Sequence, residues 1–288
     1  MTDRNDRRGG AGPADGARSP SPPGRRSVRP SIHWLHGVFI LGLLAAAATP
    51  APGGDRDTIR RENAMAGALD WQLTKVGLRG PDGIRARGIE GYCSRQSVKA
   101  GERIEFCIST DPPAPFRLEI FRLGYYGGRG ARLMTTLGPF EGVTQPDPVP
   151  GEKNLHECRW EASAGLVIPD DWTSGVYLGR LSVLPPDDEK AAWQSSVVFI
   201  VTDDRPADIL FQCSDNTWNA YNAWPGKFSL YTDPRGTSGP WAATSFDRPY
   251  GRYAQFTSVV NDPLSIGSGE FLSFEFPMAC FLEEHGYD

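Results

Sequence analysis

From Ile89 to Thr202 the chain repeats one pattern, short runs in which apolar and polar residues alternate with a period of two. Ile104, Phe106 and Ile108 point one way while Glu105, Cys107 and Ser109 point the other, as in a half-buried strand. Seven such runs occur: Ile89–Ser94, Arg103–Ser109, Arg117–Leu123, Ala131–Thr136, Cys158–Ala162, Gly175–Leu184 and Trp193–Thr202. Ala100-Gly101 and Pro185-Pro186-Asp187-Asp188 supply turn chemistry between them, and the 33 glycines and 25 prolines favour short strands over long helices. Seven short strands over about 115 residues predict an immunoglobulin-like β-sandwich within a mostly β chain.

Around this body the texture changes twice. Residues 1–30 carry seven arginines against Asp3, Asp6 and Asp15 amid Pro, Gly and Ser, the composition of a disordered basic segment. Val38–Ala48 is an apolar core of eleven residues, shorter than the roughly 20 needed to span a bilayer. With arginines before it, Ala46 and Ala48 at a small-x-small site and Pro50 and Pro52 beyond, residues 31–52 read as a signal peptide. The protein is therefore expected to be exported, periplasmic or extracellular, with an uncleaved membrane anchor as the alternative; Arg25-Arg26 only weakly matches a twin-arginine signal. Residues 53–84 read as an extended lead-in.

After the linker Asp203–Pro206, Ala207–Cys213 reads as an apolar strand, and Pro277–His285 as a helix with Pro277 in its first turn and Gly286 at its C-cap. A strand should follow such a helix in an α/β domain. Residues 205–288 are therefore expected to be an incomplete α/β domain, truncated at Asp288.

Charge and cysteine content exclude some functions. The net charge of −5 becomes −9 once the +4 of residues 1–30 is set apart, so a nucleic-acid partner is not expected. Cys93, Cys107, Cys158, Cys213 and Cys280 include no C-x-x-C pair, which argues against a zinc site of the usual spacing. They read as mostly free buried thiols, with one or two disulfides as the alternative in an exported protein.

Three segments invite a chemical reading. Arg122–Arg132 is glycine-rich, but strand-like residues follow where a phosphate loop needs a helix, so it reads as a tight strand-to-strand connection. Asn216–Trp224, with Phe228 and Tyr231, is the densest aromatic patch, at the C-terminal end of the expected strand. A catalytic or metal site, interface packing and a sugar-stacking face all remain open for it. Glu283-Glu284 reads as solvated charge, and no nucleophile elbow or other complete catalytic set occurs.

A series of short motifs carries a resemblance: Arg61-Glu62-Asn63, Trp71, Gly91-Tyr92-Cys93-Ser94, Ser97-Val98, Arg122–Arg132, Asn219-Ala220-Tyr221-Asn222, Arg248-Pro249-Tyr250 and Phe281–Asp288. From about Ile59 to Asp288 the chain resembles the N-terminal part of the N,N-dimethylformamidase large (β) subunit-like family. That resemblance implies an immunoglobulin-like sandwich followed by the start of a glutamine-amidotransferase-like α/β domain. It implies an iron-dependent hydrolase of C–N amide bonds, with a small amide as substrate and a homo-oligomer or a small subunit as partner. It also implies Fe(3+) held by two tyrosines and a glutamate, the tyrosines falling by position on Tyr221 and Tyr250, with Tyr231 as the substitute. Phenolate and carboxylate oxygens are hard donors that suit a ferric ion. The family's glutamate and catalytic histidine lie in a Gly-His-Asp-Glu-Tyr-Trp-like segment expected beyond Asp288, so this chain alone is expected to be inactive. The alternative is an exported β-sandwich binding module without catalysis.

Overall fold

The computed structural model describes residues 56–78, 83–184, 193–226, 228–231, 241–252 and 265–288. Residues 1–52, with the basic segment and the signal or anchor segment, lie outside them, as does the Pro185–Asp188 turn.

The period-two runs form two β-sheets. One has three antiparallel strands in the order β1 (Glu90–Cys93), β3 (Arg103–Ser109), β6 (Ala164–Val167). The other has five, in the order β2 (Ser97–Lys99), β8 (Gln194–Thr202), β7 (Gly175–Val183), β4 (Phe116–Leu123), β5 (Ala131–Phe140). All its pairings are antiparallel except β2 with β8, where Ser97 lies opposite Ile200. One apolar core joins the sheets: Ile104, Phe106 and Ile108 from β3 meet Phe116, Leu118 and Ile120 from β4, with Tyr177 and Leu181 from β7 and Phe199 from β8.

One expected run comes out differently, and one strand, β2, was not expected. Cys158–Ala162 is not a strand, and the third strand of the smaller sheet begins at Ala164 instead. Cys158 and Trp160 spend their amides elsewhere, donating to Asp247 O (2.7 Å) and the Tyr92 hydroxyl (3.3 Å), which leaves nothing for a ladder. β2 has only Val98 buried in its three residues, too little for a period to show.

The central strands are buried on both faces, where alternation predicts one. Phe121 and Leu123 of β4, Val176 and Leu178 of β7 and Val198 of β8 form a second cluster on the outer face of the large sheet. Trp71 from the lead-in and Cys213, Trp218 and Phe271 from the C-terminal region complete it. The lead-in is not wholly extended, since α1 (Arg56–Asn63) is helical and buries Ile59.

In the C-terminal region the helices are α2 (Asp215–Tyr221) and α3 (Phe276–Glu284). α3 matches the expected helix and closes as a Schellman motif, with Gly286 N–H donating to Glu283 O (3.0 Å) and Tyr287 N–H to Leu282 O (3.0 Å). Gly286 has φ 79°, the left-handed value that glycine adopts without a Cβ penalty. Ala207–Cys213 is not a strand. None of its residues joins a ladder and Leu210 is 87% exposed, so the segment lies over the large sheet as irregular chain.

Arg122–Arg132 is the expected strand-to-strand connection, from the end of β4 to the start of β5. Gly130 is obligatory there, because φ is 86° and a Cβ would come within 3.1 Å of Phe276 and 3.2 Å of Trp71. Five free cysteines fit the expectation of unpaired thiols, and four of them are buried.

Candidate functional site

α2 delivers the aromatic patch and ends at Tyr221, one of the two expected metal-binding residues. The end of a short helix leaves carbonyls without partners. Here Arg248 supplies the donors: its Nη2 donates to Asn219 O (3.0 Å), and its Nη1 to Trp224 O (2.9 Å) and Phe228 O (3.2 Å). Nε donates to Ser245 O (3.2 Å). Burial lowers the pKa of Arg248 to about 10, so it stays charged at neutral pH and favours the negative end of α2.

Asn222 fixes the relation of Tyr221 to Tyr250. Its Nδ2 donates to Pro249 O (2.9 Å) and its Oδ1 accepts from Gly251 N–H (3.0 Å), so the residue after Tyr221 clasps the backbone on both sides of Tyr250. Tyr231, the substitute, lies against Tyr221 with ring centroids 4.9 Å apart. The structure thus brings the Tyr221 and Tyr250 segments together through backbone and amide contacts.

Tyr250 is the chemically unusual member. Its ring packs edge-on to Trp218 (6.3 Å) and its hydroxyl is buried without a hydrogen-bond partner. Burial pushes its pKa well above the ordinary phenol value, Asp215 and Glu270 add to that, and Arg248 opposes it. A buried hydroxyl normally has a partner, and leaving one unmade costs about 1–3 kcal/mol.

Sequence reasoning passed over Glu275, which accepts from Trp218 Nε1 (2.9 Å), and Glu270, which follows Gly269 where that glycine meets the Trp218 ring. Glu270 is 7% exposed, with Oε1 buried and unpartnered. Burial, aided by the Glu275 charge, pushes its pKa up to about 7. Their signal in the sequence was slight, two acids bracketing the apolar run Phe271–Phe274. His156 was also passed over. It is buried against Phe228 (ring centroids 4.0 Å), its Nδ1 lies 2.8 Å from Asn154 O, and burial lowers its pKa.

Glu283 is not solvated charge. It forms a bidentate pair with fully buried Arg122 at 2.7 and 2.9 Å, while its neighbour Glu284 is exposed. A separate cavity of about 240 Å³ lies between the outer face of β7–β8 and α3, with Val176, Ile200, Phe211, Leu282 and Arg205 in its wall, and neither tyrosine reaches it. Among the described residues no group of three or more His, Cys, Asp and Glu side chains is placed to hold a metal, so a metal here would need phenol oxygens as well.

A family model described as "N,N-dimethylformamidase beta subunit-like, C-terminal" matches residues 117–288, more than half of the chain. The chain belongs to that family. The matched model is of the family's C-terminal region, whereas the motifs predicted the N-terminal part of the subunit. No curated protein matches the chain. Among solved structures, the alkylpurine DNA glycosylase AlkC of Pseudomonas fluorescens bound to DNA with an abasic site analogue is similar at 15% identity and a TM-score of 0.24. That alignment covers 41% of this chain and 31% of the glycosylase, too slight a likeness to carry an argument. For this N,N-dimethylformamidase-like chain, the Tyr221–Tyr250 segment is the candidate site.

Proposed function

We propose that the chain forms part of an iron-dependent hydrolase acting on C–N amide bonds, with Tyr221 and Tyr250 as oxygen donors to Fe(3+). Family membership supports the reaction class. The observation that carries the site is the buried, unpartnered Tyr250 hydroxyl. It fits a ferric ion because a cation stabilises the phenolate that burial alone disfavours. When bound, such an ion supplies Lewis acidity toward an amide carbonyl oxygen. The chain's own part is positioning: Asn222 clasps the Tyr250 backbone, and Arg248 holds the end of α2.

Ferric ion titrated into a version of the chain extended to include the family's glutamate segment should produce a visible phenolate-to-iron charge-transfer band. Tyr250→Phe, which keeps the ring and removes the oxygen, should abolish that band and Tyr221→Phe should weaken it. A folded protein showing no band would rule the site out. The binding-module alternative has less support, because Trp218 and Trp224 are buried and present no stacking platform.

We also read the two sheets as an immunoglobulin-like sandwich. The strand order β2-β8-β7-β4-β5 against β1-β3-β6 corresponds to the two sheets of that fold. Near the start of β7 the Tyr177 hydroxyl donates to Thr173 O (2.6 Å), in the manner of a tyrosine corner.

Export remains the proposal for localisation, carried by residues 31–52. Among the described residues no helix is long and apolar enough to cross a membrane. Intact-mass analysis of periplasmic or extracellular protein should give a new N-terminus near Thr49. Full-length protein in the cytosol would overturn export, and full-length protein in the membrane would favour the anchor.

A further inference from the structure

We propose that the cavity between the outer face of β7–β8 and α3 is a binding site for a small neutral molecule, a single ring with a short arm that ends in a hydrogen-bond acceptor oxygen. The inference is independent of the metal reading, because neither Tyr221 nor Tyr250 lines this cavity.

Size sets the first limit. The cavity holds about 240 Å³. That exceeds the roughly 150 Å³ of an engineered apolar cavity that takes up benzene, and falls short of the roughly 300 Å³ at which sites for drug-sized ligands begin. One ring with a short arm lies between these bounds. Most of the wall is apolar: Val176 and Ile200 face it from the sheet, Ala279 and Leu282 from α3, with Phe211 and Phe271 between. A void of this size left unfilled forfeits packing contacts, so an occupant stabilises the chain. Phe211 belongs to the irregular segment Ala207–Cys213, which has no ladder partner. A wall without ladder hydrogen bonds opens locally at small cost, and that gives a ligand its way in.

Polar chemistry in the same wall sets the second limit. Arg205 Nε donates to Asp203 Oδ2 (2.7 Å), and its Nη2 donates to Ser174 Oγ (2.9 Å) and pairs with Asp288 Oδ2 (2.7 Å). All four residues line the cavity. Arg205 Nη1 is buried and has no hydrogen-bond partner. A buried donor left unmet is costly, so the ligand that gains most is one that brings an acceptor. Charge decides which kind. Asp203 and Asp288 set two carboxylates against one guanidinium, while Glu283, also in the wall, is matched by Arg122. The surplus is negative and repels a carboxylate ligand. An ammonium head offers nothing to Nη1, and the remaining carboxylate oxygens already accept, Asp203 Oδ1 from Arg205 N–H (3.0 Å) and Asp288 Oδ1 from the Ser174 hydroxyl. A neutral carbonyl or hydroxyl oxygen answers Nη1 without bringing a second charge out of water.

The test uses the full chain and four probes of similar size: acetophenone, ethylbenzene, benzoate and benzylammonium. Affinities are read by saturation-transfer NMR titration. Acetophenone should bind saturably and about tenfold more tightly than ethylbenzene, the worth of one hydrogen bond from a charged donor. Benzoate and benzylammonium should both bind more weakly than acetophenone. Arg205→Met should bring acetophenone down to the level of ethylbenzene, and Ala279→Phe, which places a ring in the cavity from α3, should abolish binding of both. Thermal melts show whether each variant is folded, and the preference for acetophenone is read on the wild-type chain, so the test stands if a variant fails to fold. No saturable binding of acetophenone to the wild-type chain would overturn the site. Equal affinities for acetophenone and ethylbenzene, or tighter binding of benzoate or benzylammonium, would overturn the assigned ligand class. Undiminished binding to folded Ala279→Phe would place the ligand elsewhere and overturn the proposal.

Discussion

Glu283→Ala is expected to lower the stability of the chain by about 3–5 kcal/mol, because it strands a buried guanidinium. Arg122 has no exposed surface, and both of its terminal nitrogens reach the Glu283 carboxylate. Burial alone would favour losing the proton, but the Glu283 charge outweighs it and holds the Arg122 pKa well above its ordinary value. Without Glu283 the guanidinium keeps only Ser174 O and the Tyr126 hydroxyl. Other contacts fail with it. Asn63 donates to Glu283 (2.8 Å) while its own oxygen accepts from Tyr125 N–H (2.8 Å) and Tyr126 N–H (2.9 Å), so α1, the β4–β5 connection and α3 meet at this carboxylate. Gly124 belongs to the same junction, since a Cβ on it would overlap the carboxylate. Denaturant titration measures the loss. A double replacement, Arg122→Met with Glu283→Leu, should recover much of it, because apolar residues in place of a buried pair are often neutral or better. A Glu283→Ala variant within about 1 kcal/mol of wild type would show that the pair contributes little.

The same junction shows what the sequence could and could not reveal. Period-two runs placed six of the eight strands, because alternation is a local signal written by burial on one face. It could not reveal that Phe121, Leu123, Val176, Leu178 and Val198 are covered by Trp71, Trp218 and Phe271, since the cover is distant in sequence. For the same reason Ala207–Cys213 looked like a strand: its Phe211 and Cys213 serve that outer cluster without ladder partners. Glu283 beside Glu284 looked solvated, and only tertiary structure places Arg122 opposite one of them. α3 was legible down to its cap, because Pro277 and Gly286 act within their own turns. At the candidate site, Tyr221 and Tyr250 were reached through motif resemblance. Glu270 and Glu275 were not, because a single acid at the edge of an apolar run gives no period and no spacing to read.

Trp224→Ala should cost a comparable amount, about 3–5 kcal/mol, the range for deleting a buried aromatic ring. Trp224 is fully buried against the outer face of the smaller sheet, in a cluster with Tyr92, Cys107, Cys158 and Trp160. Its ring meets Trp160 edge-on at 6.1 Å, and Arg85 lies over it at 4.7 Å from the centroid. The indole Nε1 donates to Glu90 Oε2 (2.9 Å), so alanine removes both the packing and one donor to a buried carboxylate. Glu90 keeps its ion pair with Arg85, which also reaches Asp147 (2.8 Å), and that limits the polar share of the loss. Trp224→Phe separates the two contributions. It retains most of the apolar volume and gives up the hydrogen bond, so it should cost only about 1–3 kcal/mol. The consequence reaches the site through the backbone, because Trp224 O accepts from Arg248 Nη1 and Asn222 Oδ1 accepts from Trp224 N–H (3.1 Å). Cavity formation at residue 224 should therefore loosen the Asn222 clasp and weaken the ferric band of Tyr250 beyond what the fall in stability explains. Denaturation of Trp224→Ala with an unchanged midpoint would show that the Asn219–Tyr250 region is not anchored through this ring. A reduced midpoint with an unaltered ferric band would show instead that Arg248 and Asn222 hold the tyrosines without it.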